Sequence, residues 1–128
     1  MSMEHKEYLK QYRIKNRDKI LKQERERYHR QTPEQKKAHV AKNKERRVRL
    51  RLEAIEHYGG KCQCCGESQI EFLCIDHIDG GGNKHRKEMT TKSIGEWLYT
   101  NKYPEGFQVL CFNCNSAKSS YQQCPHQL

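Results

Sequence analysis

The chain has 128 residues, 34% of them hydrophobic, and its mean hydropathy is −1.17, which together exclude a large apolar core. No apolar run approaches the about 20 residues of a membrane span. The formal net charge is +9, and all of this excess lies in residues 1–58, because residues 59–128 contain 7 basic and 7 acidic residues.

The basic N-terminal half and the seven cysteines narrow the choice of partner and compartment. Charge concentrated in one half is typical of a segment that binds a polyanion, and the alternative is a solvated helical surface. The N-terminus lacks the apolar core of a signal peptide, and an odd number of cysteines argues against a closed disulfide framework. We therefore expect a cytoplasmic protein, without a membrane partner, whose cysteine pairs bind metal.

Two basic helices are predicted for the N-terminal half. Residues 4–30 contain no Gly or Pro and many strong helix formers, while their apolar residues are too sparse for a broad buried face. A break follows at QTPEQ, where Thr32 suits an N-cap, Pro33 the first helical position and Gln35 the closing residue of a capping box. We expect a solvent-exposed first helix and a second helix that begins at Pro33.

The second helix is predicted to end near residue 58, because a Gly59-Gly60 pair follows. Val48, Leu52 and Ile55 recur at spacings of four and three, which predicts one apolar stripe at the C-terminal end of this helix. We expect the stripe to pack against the segment that follows.

Cysteines, glycines and short β-type stretches replace the charged helices in the C-terminal half. The apolar stretches 71–75 and 107–110 are predicted to pair as a small antiparallel hairpin. Between them lie a loop at Gly80–Gly82 and a short predicted helix over 93–101, and a final helix is predicted to begin near Cys114. The fold class is therefore α+β, with long basic helices before a compact β-loop-β-helix unit.

Four cysteines have the spacing of a metal site. Cys62 with Cys65, and Cys111 with Cys114, form two C-x-x-C pairs that are separated by forty-five residues. In a reduced compartment, two such pairs are typical of a tetrahedral Zn²⁺ site, whereas a redox thiol pair usually has one C-x-x-C near a βαβ pattern. The pairs therefore predict a structural zinc whose binding supplies folding free energy that a small core lacks.

Three cysteines lie outside these pairs. Cys64 is out of register with the first pair, and Cys74 lies in an apolar stretch, where we expect a small core residue. Cys124 and His126 form either a second, partial metal contact or a tail that packs on the unit or frays.

The segment CIDHIDGGGNKHRK, residues 74–87, lies between the two cysteine pairs. Closing a zinc site would bring the strand that ends in Asp76-His77 close to the helix that carries Asn115. A carboxylate and an amide carbonyl are oxygen ligands suited to a Mg²⁺-like cation, and a neutral imidazole can take a proton from water. The three residues therefore suit hydrolysis of a phosphodiester.

The ordered set C-x-x-C … DH … C-x-x-C-N resembles the His-Me finger (ββα-metal) nucleases, especially the zinc-bearing HNH and recombination endonuclease VII-like members common in phages. The resemblance covers residues 58–126. It implies a metal-dependent DNA endonuclease in which His77 is the general base and Asp76 and Asn115 hold a catalytic Mg²⁺ or Mn²⁺. It also implies products with 5′-phosphate and 3′-hydroxyl ends.

The sequence departs from that family's pattern at Gly106, where many HNH members have an Asn that helps to orient the base loop. Asn83 in the glycine-rich loop could take this role. Asp79 aligns with a second His of some relatives, and we expect it to be a supporting residue.

Two domains follow, a basic helical DNA-binding arm over residues 1–58 and a zinc-bound nuclease module over residues 59–128. Phosphate contacts from the arm would be sequence-independent and salt-sensitive. A phage-encoded enzyme of this kind would act inside the host cell, and a homodimer would suit cleavage of both strands. The candidate phosphate-binding residues are Lys15, Arg17, Lys19, Lys22, Arg25, Arg27, Arg46, Arg47, Arg49 and Arg51 in the arm, and Lys84, Arg86 and Lys118 nearer the chemistry.

The competing interpretation is a non-catalytic, zinc-stabilised module that only binds nucleic acid. It explains the charge and the cysteines equally well. Under it, Asp76-His77 is a strand end, Asn115 caps the final helix, and residues 84–86 are an exposed basic cluster. A coiled-coil interaction protein fits poorly, because no sustained heptad is present.

Overall fold

The computed structural model describes residues 2–91 and 93–128, which form α-helices and one small sheet. The chain divides into two compact units, of which the first ends at Lys42 and the second comprises Asn43–Leu128. The α+β class is confirmed. The helices are α1 (Met3–Lys15), α2 (Arg17–Arg30), α3 (Pro33–His57), α4 (Gly82–Glu88), α5 (Ile94–Thr100) and α6 (Phe112–Tyr121); the strands are β1 (Leu73–His77) and β2 (Phe107–Cys111); short 3₁₀ helices lie at Ile70–Phe72 and Pro125–Gln127.

The first unit is helical and exposed, as predicted, but the predicted helix over 4–30 is interrupted at Asn16. This residue has φ −105° and ψ 15°, and its side-chain amide donates to the carbonyl of Tyr12 at 2.9 Å. Asn competes in this way for backbone partners and therefore tends to end helices. Neither α1 nor α2 has a buried residue.

The start and end of α3 follow the predicted signals. The backbone N–H of Gln35 donates to the Thr32 hydroxyl at 3.2 Å, and the backbone N–H of Thr32 donates to the Gln35 side-chain oxygen at 2.9 Å, which completes the capping box. At the other end, the N–H of Gly60 donates to the carbonyl of Ile55 at 2.8 Å, and Gly59 has φ +113°. Such a C-terminal turn favours glycine because its φ is positive.

The predicted apolar stripe of α3 is wrong in two of its three residues. Val48 and Leu52 are 50% and 39% exposed, whereas Leu50, Ala54 and Ile55 are buried. The buried face follows from the neighbouring helix α5: a Cβ at Gly95 would lie 3.1 Å from the backbone nitrogen of Arg51, so the two helices approach closely there. The last part of α3 therefore belongs to the second unit, which begins at Asn43 instead of at the predicted boundary after residue 58.

The sheet of the second unit is the predicted antiparallel pair, with Leu73 opposite Cys111 and His77 opposite Phe107. Leu73 and Val109 are fully buried, and they pack in one cluster with Ile55 and with cysteines from both C-x-x-C pairs. Helix α6 begins directly after β2, so its first turn lies beside the cysteine cluster.

Cys74 is half-buried, and its thiol lies 3.3 Å from the carbonyl oxygen of Leu110. Its packing against the partner strand agrees with the predicted role of a small apolar residue. Among residues 2–91 and 93–128, no helix combines the length and the apolar character that crossing a membrane requires.

Candidate metal centre and active-site cleft

The two C-x-x-C pairs come together in the second unit. The Sγ atoms of the four residues all lie within 4.8 Å of one another, and we call them the first ligand group; they are Cys62, Cys65, Cys111 and Cys114. In each pair a backbone N–H points at the first sulfur: Cys65 N lies 3.5 Å from Cys62 Sγ, and Cys114 N lies 3.4 Å from Cys111 Sγ. Such N–H groups stabilise thiolates, the form that binds metal.

The sulfur spacing fits zinc. With Zn–S bonds of about 2.3 Å, tetrahedral geometry places neighbouring sulfurs about 3.8 Å apart. The Sγ atoms of Cys65 and Cys111 are 3.8 Å apart. The cysteine cluster could therefore hold a metal such as zinc, as the spacing in the sequence predicted.

Burial and hydrogen bonds shift the pKa values of Cys62 and Cys114 in opposite directions. Burial raises the pKa of Cys62, but hydrogen bonds from the backbone N–H groups of Cys65, Cys111 and Cys64 outweigh it and lower this pKa to about 6. The pKa of Cys114 is raised far above its ordinary value of 9.0, first by burial and then by the surrounding thiols. A divalent cation would stabilise these thiols as thiolates, because metal ligands bind in the deprotonated form.

A second ligand group adjoins the first. Cys64, Cys114, Cys124 and His126 also place one donor atom each within 4.8 Å of the others. His126 Nδ1 lies 3.3 Å from Cys114 Sγ and 3.4 Å from Cys124 Sγ. From the sequence, Cys124 and His126 were either a partial metal contact or part of a tail that packs or frays, because nothing in its spacing shows that Cys64 and Cys114 would join them.

A cleft of roughly 390 Å³ lies beside β1, in the same unit as the metal centre. Asp76 and His77 reach it from the end of β1, and Asn115 reaches it from the first turn of α6. The structure thus brings the three predicted catalytic residues to one cleft. The residues that line it are Ile75, Asp76, His77, Gly80, Gly81, Gly82, Asn83, Arg86, Asn115, Lys118 and Ser119.

The Asp76 carboxylate is bound by a lysine. Lys118 Nζ lies 2.6 Å from Asp76 Oδ2, and it also donates to the backbone carbonyls of His77 and Ile78, at 2.9 Å each. Gln108 donates to the same carboxylate oxygen at 2.9 Å. Lys118 was predicted to contact phosphate, but here its ammonium group occupies a cation-binding position made of three oxygens.

The oxygen atoms around Lys118 have the chemistry of a site for a hard cation. Carboxylate, amide and backbone carbonyl oxygens are the ligands of Mg²⁺, which usually keeps several waters and takes only one or two protein carboxylates. Asp76 and Asn115 therefore fit such an ion, provided that its charge replaces that of Lys118 beside the carboxylate.

The His77 imidazole is held by a hydrogen bond at one nitrogen, and its other nitrogen lies beside the glycine-rich loop. Its Nε2 lies 2.7 Å from Nδ1 of His85, and its ring packs edge-on against Phe107 at a centroid distance of 4.8 Å. A Cβ at Gly82, which lines the cleft, would lie only 3.2 Å from His77 Nδ1. Nδ1 is therefore the ring nitrogen on the side of the cleft.

Several effects lower the pKa of His77 below its ordinary value of 6.5. The largest is burial, which disfavours the charged imidazolium, followed by the neighbouring His85, Arg86 and Lys118. Asp76 acts in the opposite direction. His77 is therefore neutral at neutral pH, as a general base must be.

Sequence reasoning missed His85, which it assigned to an exposed basic cluster. The side chain is half-buried, lies against Trp97 at a centroid distance of 4.3 Å and pairs with His77. Its Nε2 is buried without a hydrogen-bond partner among the described residues. A histidine eight positions after His77 has no recognisable spacing, so only the fold of α4 and α5 reveals the contact.

Of the two supporting residues predicted from the sequence, one lines the cleft and the other does not. Asn83 lines the cleft, whereas Asp79 is exposed and is not among its lining residues. Gly106, at the position where relatives have Asn, has φ +100°, and its carbonyl accepts a hydrogen bond from the N–H of Ile78 at 3.0 Å. A positive φ favours glycine at this position. The hydrogen bond from Ile78 to the Gly106 carbonyl then holds the chain just after β1 through the backbone.

Several predicted phosphate contacts are engaged within the chain. Arg51 is half-buried and donates to the backbone carbonyls of Ile70 and Leu73, which gives it a packing role. Arg46 pairs with Glu96 at 2.6 Å. The side-chain nitrogen of Arg49 lies 3.8 Å from a carboxylate oxygen of Glu53, and that of Lys84 lies 4.0 Å from one of Glu88.

The other predicted phosphate contacts of the N-terminal half are exposed; they are Lys15, Arg17, Lys19, Lys22, Arg25, Arg27 and Arg47.

No family model, no curated protein and no solved structure matches the chain. The likeness to His-Me finger nucleases therefore depends on the residues of the metal centre and the cleft alone.

Proposed function

We propose that the chain is a metal-dependent endonuclease that hydrolyses DNA phosphodiester bonds in the cleft beside β1. The observation that carries this proposal is the meeting of three groups in that cleft: the carboxylate of Asp76, the imidazole of His77 and the amide of Asn115. A neutral base and oxygen ligands for a hard cation, side by side, are what hydrolysis of a phosphodiester requires.

His77 is the general base. Its Nδ1 takes a proton from a water molecule, the water oxygen forms a bond to phosphorus, and the bond from phosphorus to the 3′-oxygen breaks. The departing 3′-oxygen takes a proton from a second water molecule. The products are then a 5′-phosphate and a 3′-hydroxyl. His85 is a positioning residue, because its bond to Nε2 fixes the imidazole with Nδ1 towards the cleft.

Asp76 and Asn115 would hold a divalent cation, Mg²⁺ or Mn²⁺, and such an ion would supply positive charge to stabilise the departing oxygen. Lys118 neutralises Asp76 until then. Because both cations use the same carboxylate, the lysine sets how readily the divalent ion binds. Arg86, which lines the cleft, is placed to contact a neighbouring phosphate.

The exposed basic side chains of α1 and α2 bind the DNA backbone. Their contacts are with phosphates, so affinity falls with salt: for six neutralised phosphates, log K falls with log salt at a slope of about −5. A slope near zero would remove this role for the arm.

A second candidate is a zinc-stabilised module that binds nucleic acid without cutting it. The ion pair of 2.6 Å between Lys118 and Asp76 favours it, because it leaves the carboxylate neutralised by the chain itself. Under this interpretation Asp76 holds β1 and α6 together, and a divalent ion has no effect on the protein.

Plasmid cleavage distinguishes the two functions. Zinc-loaded protein should cut DNA with Mg²⁺ or Mn²⁺, and His77→Ala should lose about 10²- to 10⁴-fold in rate while it keeps zinc and DNA binding. The matched control is His5→Ala, an exposed histidine of α1. Binding without cutting by every variant supports the second candidate, and equal cutting by His77→Ala and wild type contradicts the assigned base.

A further inference from the structure

The two ligand groups share a single residue, Cys114. The first group adds three cysteines to it and the second adds two cysteines and a histidine. All seven donors therefore belong to one continuous cluster around the first turn of α6. A single tetrahedral zinc ion takes only four ligands, so an ion bound to the first group leaves three donor residues of the second group unused.

The distances in the second group are those of a metal site. With a Zn–S bond of about 2.3 Å and a Zn–N bond of about 2.0 Å, a tetrahedral site separates sulfur and nitrogen by about 3.5 Å. His126 Nδ1 lies 3.3 Å from one cysteine sulfur and 3.4 Å from another, those of Cys114 and Cys124. The first group matches the sulfur–sulfur distance equally well, at 3.8 Å between Cys65 and Cys111.

Cys114 is in contact with thiols of both groups. Its sulfur interacts with those of Cys111 and Cys65 in the first group and with those of Cys124 and Cys64 in the second. The adjacent residues Cys64 and Cys65 therefore both place their sulfurs within 4.8 Å of the sulfur of Cys114. That residue is 1% exposed, as expected for a sulfur enclosed by ligands on both sides.

We propose that this centre binds two zinc ions bridged by the thiolate of Cys114. Two tetrahedral ions need eight ligand positions, and seven residues with one bridging thiolate supply eight. The first ion is held by Cys62, Cys65, Cys111 and Cys114, and the second by Cys64, Cys114, Cys124 and His126. Six thiolates and two Zn²⁺ leave one negative charge per ion, against two for a single ion with four thiolates.

The second ion fixes the C-terminal segment to the unit. Tyr121 and Leu128 are 74% and 94% exposed, so apolar contacts of these residues do little to hold the end of the chain. Cys124 is buried, and with His126 it closes the segment back onto the first turn of α6. The inference does not depend on the proposed nuclease activity, because it concerns only how the metal centre is built.

The zinc content of the full-length protein tests the proposal. Wild-type protein purified with zinc should contain two zinc ions per chain by elemental analysis, and Cys124→Ser and His126→Ala should each contain one. Cys74→Ser is the matched control, since Cys74 is half-buried and belongs to neither group; it should keep two. One zinc ion per chain in the wild-type protein overturns the proposal, whichever variant then loses it.

A second measurement needs no variant and so does not depend on how well one folds. Protein reconstituted with ¹¹³Cd²⁺ should give two cadmium resonances, one from a site with four sulfurs and one from a site with three sulfurs and a nitrogen. The two should show cadmium–cadmium coupling through the shared sulfur. A single resonance, or two resonances without coupling, overturns the bridged pair of ions.

Discussion

The two units of the molecule differ in what stabilises them. None of the described residues 2–42 is buried, and the helices α1 and α2 are covered with charged side chains. In the second unit, four of the eleven buried hydrophobic residues are cysteines of the two ligand groups, so much of the core is itself a metal site. The first unit therefore provides charge without a core, and the second provides a small core that includes cysteines able to hold a metal.

This difference explains how a chain of such low hydropathy forms a defined cleft. The apolar part of the second core is small, with Leu73, Val109 and Ile55 among its largest buried side chains. A metal held by the first ligand group would tie β2 and α6 to the first cysteine pair. Asp76 and His77 lie on β1 and Asn115 lies on α6, so the same elements carry these three cleft residues. Helix α6 therefore takes part both in the cysteine cluster and in the cleft.

Removing the metal should have the largest effect and should separate the two units most clearly. Zinc binding by small structural sites is worth on the order of 10 kcal/mol, so chelation should unfold the second unit. Hydrogen exchange should show that the amides of β1 and β2 lose protection. The amides of α1 and α2 should exchange rapidly with or without zinc, because neither helix buries a side chain.

Trp97, the only tryptophan of the chain, reports the same event in the second unit. Its fluorescence should change on chelation and should return when zinc is restored, while Mg²⁺ alone should not restore it. Protected β1 amides in protein shown to be free of zinc would contradict a metal-dependent core.

Within the second unit, His85 should affect the chemistry through His77. His85→Ala removes the hydrogen bond at Nε2, and misplacement of a catalytic group can cost up to about a hundredfold in rate. The acid limb of the pH–rate profile should also move up towards 6.5, because one of the causes that lower the pKa of His77 is lost. His85→Asn keeps a polar atom near the position of Nδ1 and should recover part of the rate.

The lowered pKa of His77 also makes the stability of the folded protein depend on pH. Since the pKa of His77 lies below 6.5 in the folded protein, the unfolded chain binds more protons as the pH falls. This contribution to stability is therefore present above pH 6.5 and is lost on acidification.

A pH–rate profile that is identical in His85→Ala and in wild type would contradict the proposal that His85 positions His77.

Local signals predicted the elements well. The capping box at Thr32 and the glycine pair after α3 depend on nearest neighbours in the sequence, and the structure has both. The two strands were recognised from their short apolar stretches, although they pair across two intervening helices. The apolar stripe of α3 was wrong at Val48 and Leu52 because their burial depends on where α5 packs. Close packing of α5 at Gly95 sets that position, and this glycine lies far from Val48 and Leu52 in the sequence, so no periodicity within α3 reveals it.

The candidate site was predictable in its residue types and not in its contacts. The order of cysteines, Asp76-His77 and Asn115 predicted the residues that meet in the cleft. The bond from Lys118 to Asp76 and the pairing of His85 with His77 join elements that are distant in sequence. Only the packing of α4 and α6 against β1 makes these contacts, so the sequence carried no sign of them.

Replacing Lys118 should have a smaller effect, which is a change in the affinity for the catalytic ion. Its ammonium lies 2.6 Å from Asp76, and both side chains are largely shielded from solvent, so it competes with a divalent cation. Lys118→Met should raise the affinity of the zinc-loaded protein for Mn²⁺ by about tenfold, a modest value for a partly screened charge. Electron paramagnetic resonance of free Mn²⁺ measures this directly.

Lys118→Arg is the matched control, because it keeps the charge and should keep the wild-type affinity. A weaker affinity in Lys118→Met would mean that the lysine supports the ion site instead of competing for it. Mn²⁺ affinity that is equal in all three proteins would remove Asp76 from the site.

The smallest expected effect concerns a single charge of the first unit. Lys19 is exposed on α2, and Lys19→Gln removes one phosphate contact if this unit binds the DNA backbone. The slope of log K against log salt should then become less steep by about 0.9, which lowers affinity roughly fivefold near 0.15 M salt. Lys61→Gln, an exposed lysine of the second unit, should leave the slope unchanged. If both substitutions changed the slope equally, the charge that binds DNA would not be confined to the arm, and the division between a unit for binding and a unit for chemistry would fail.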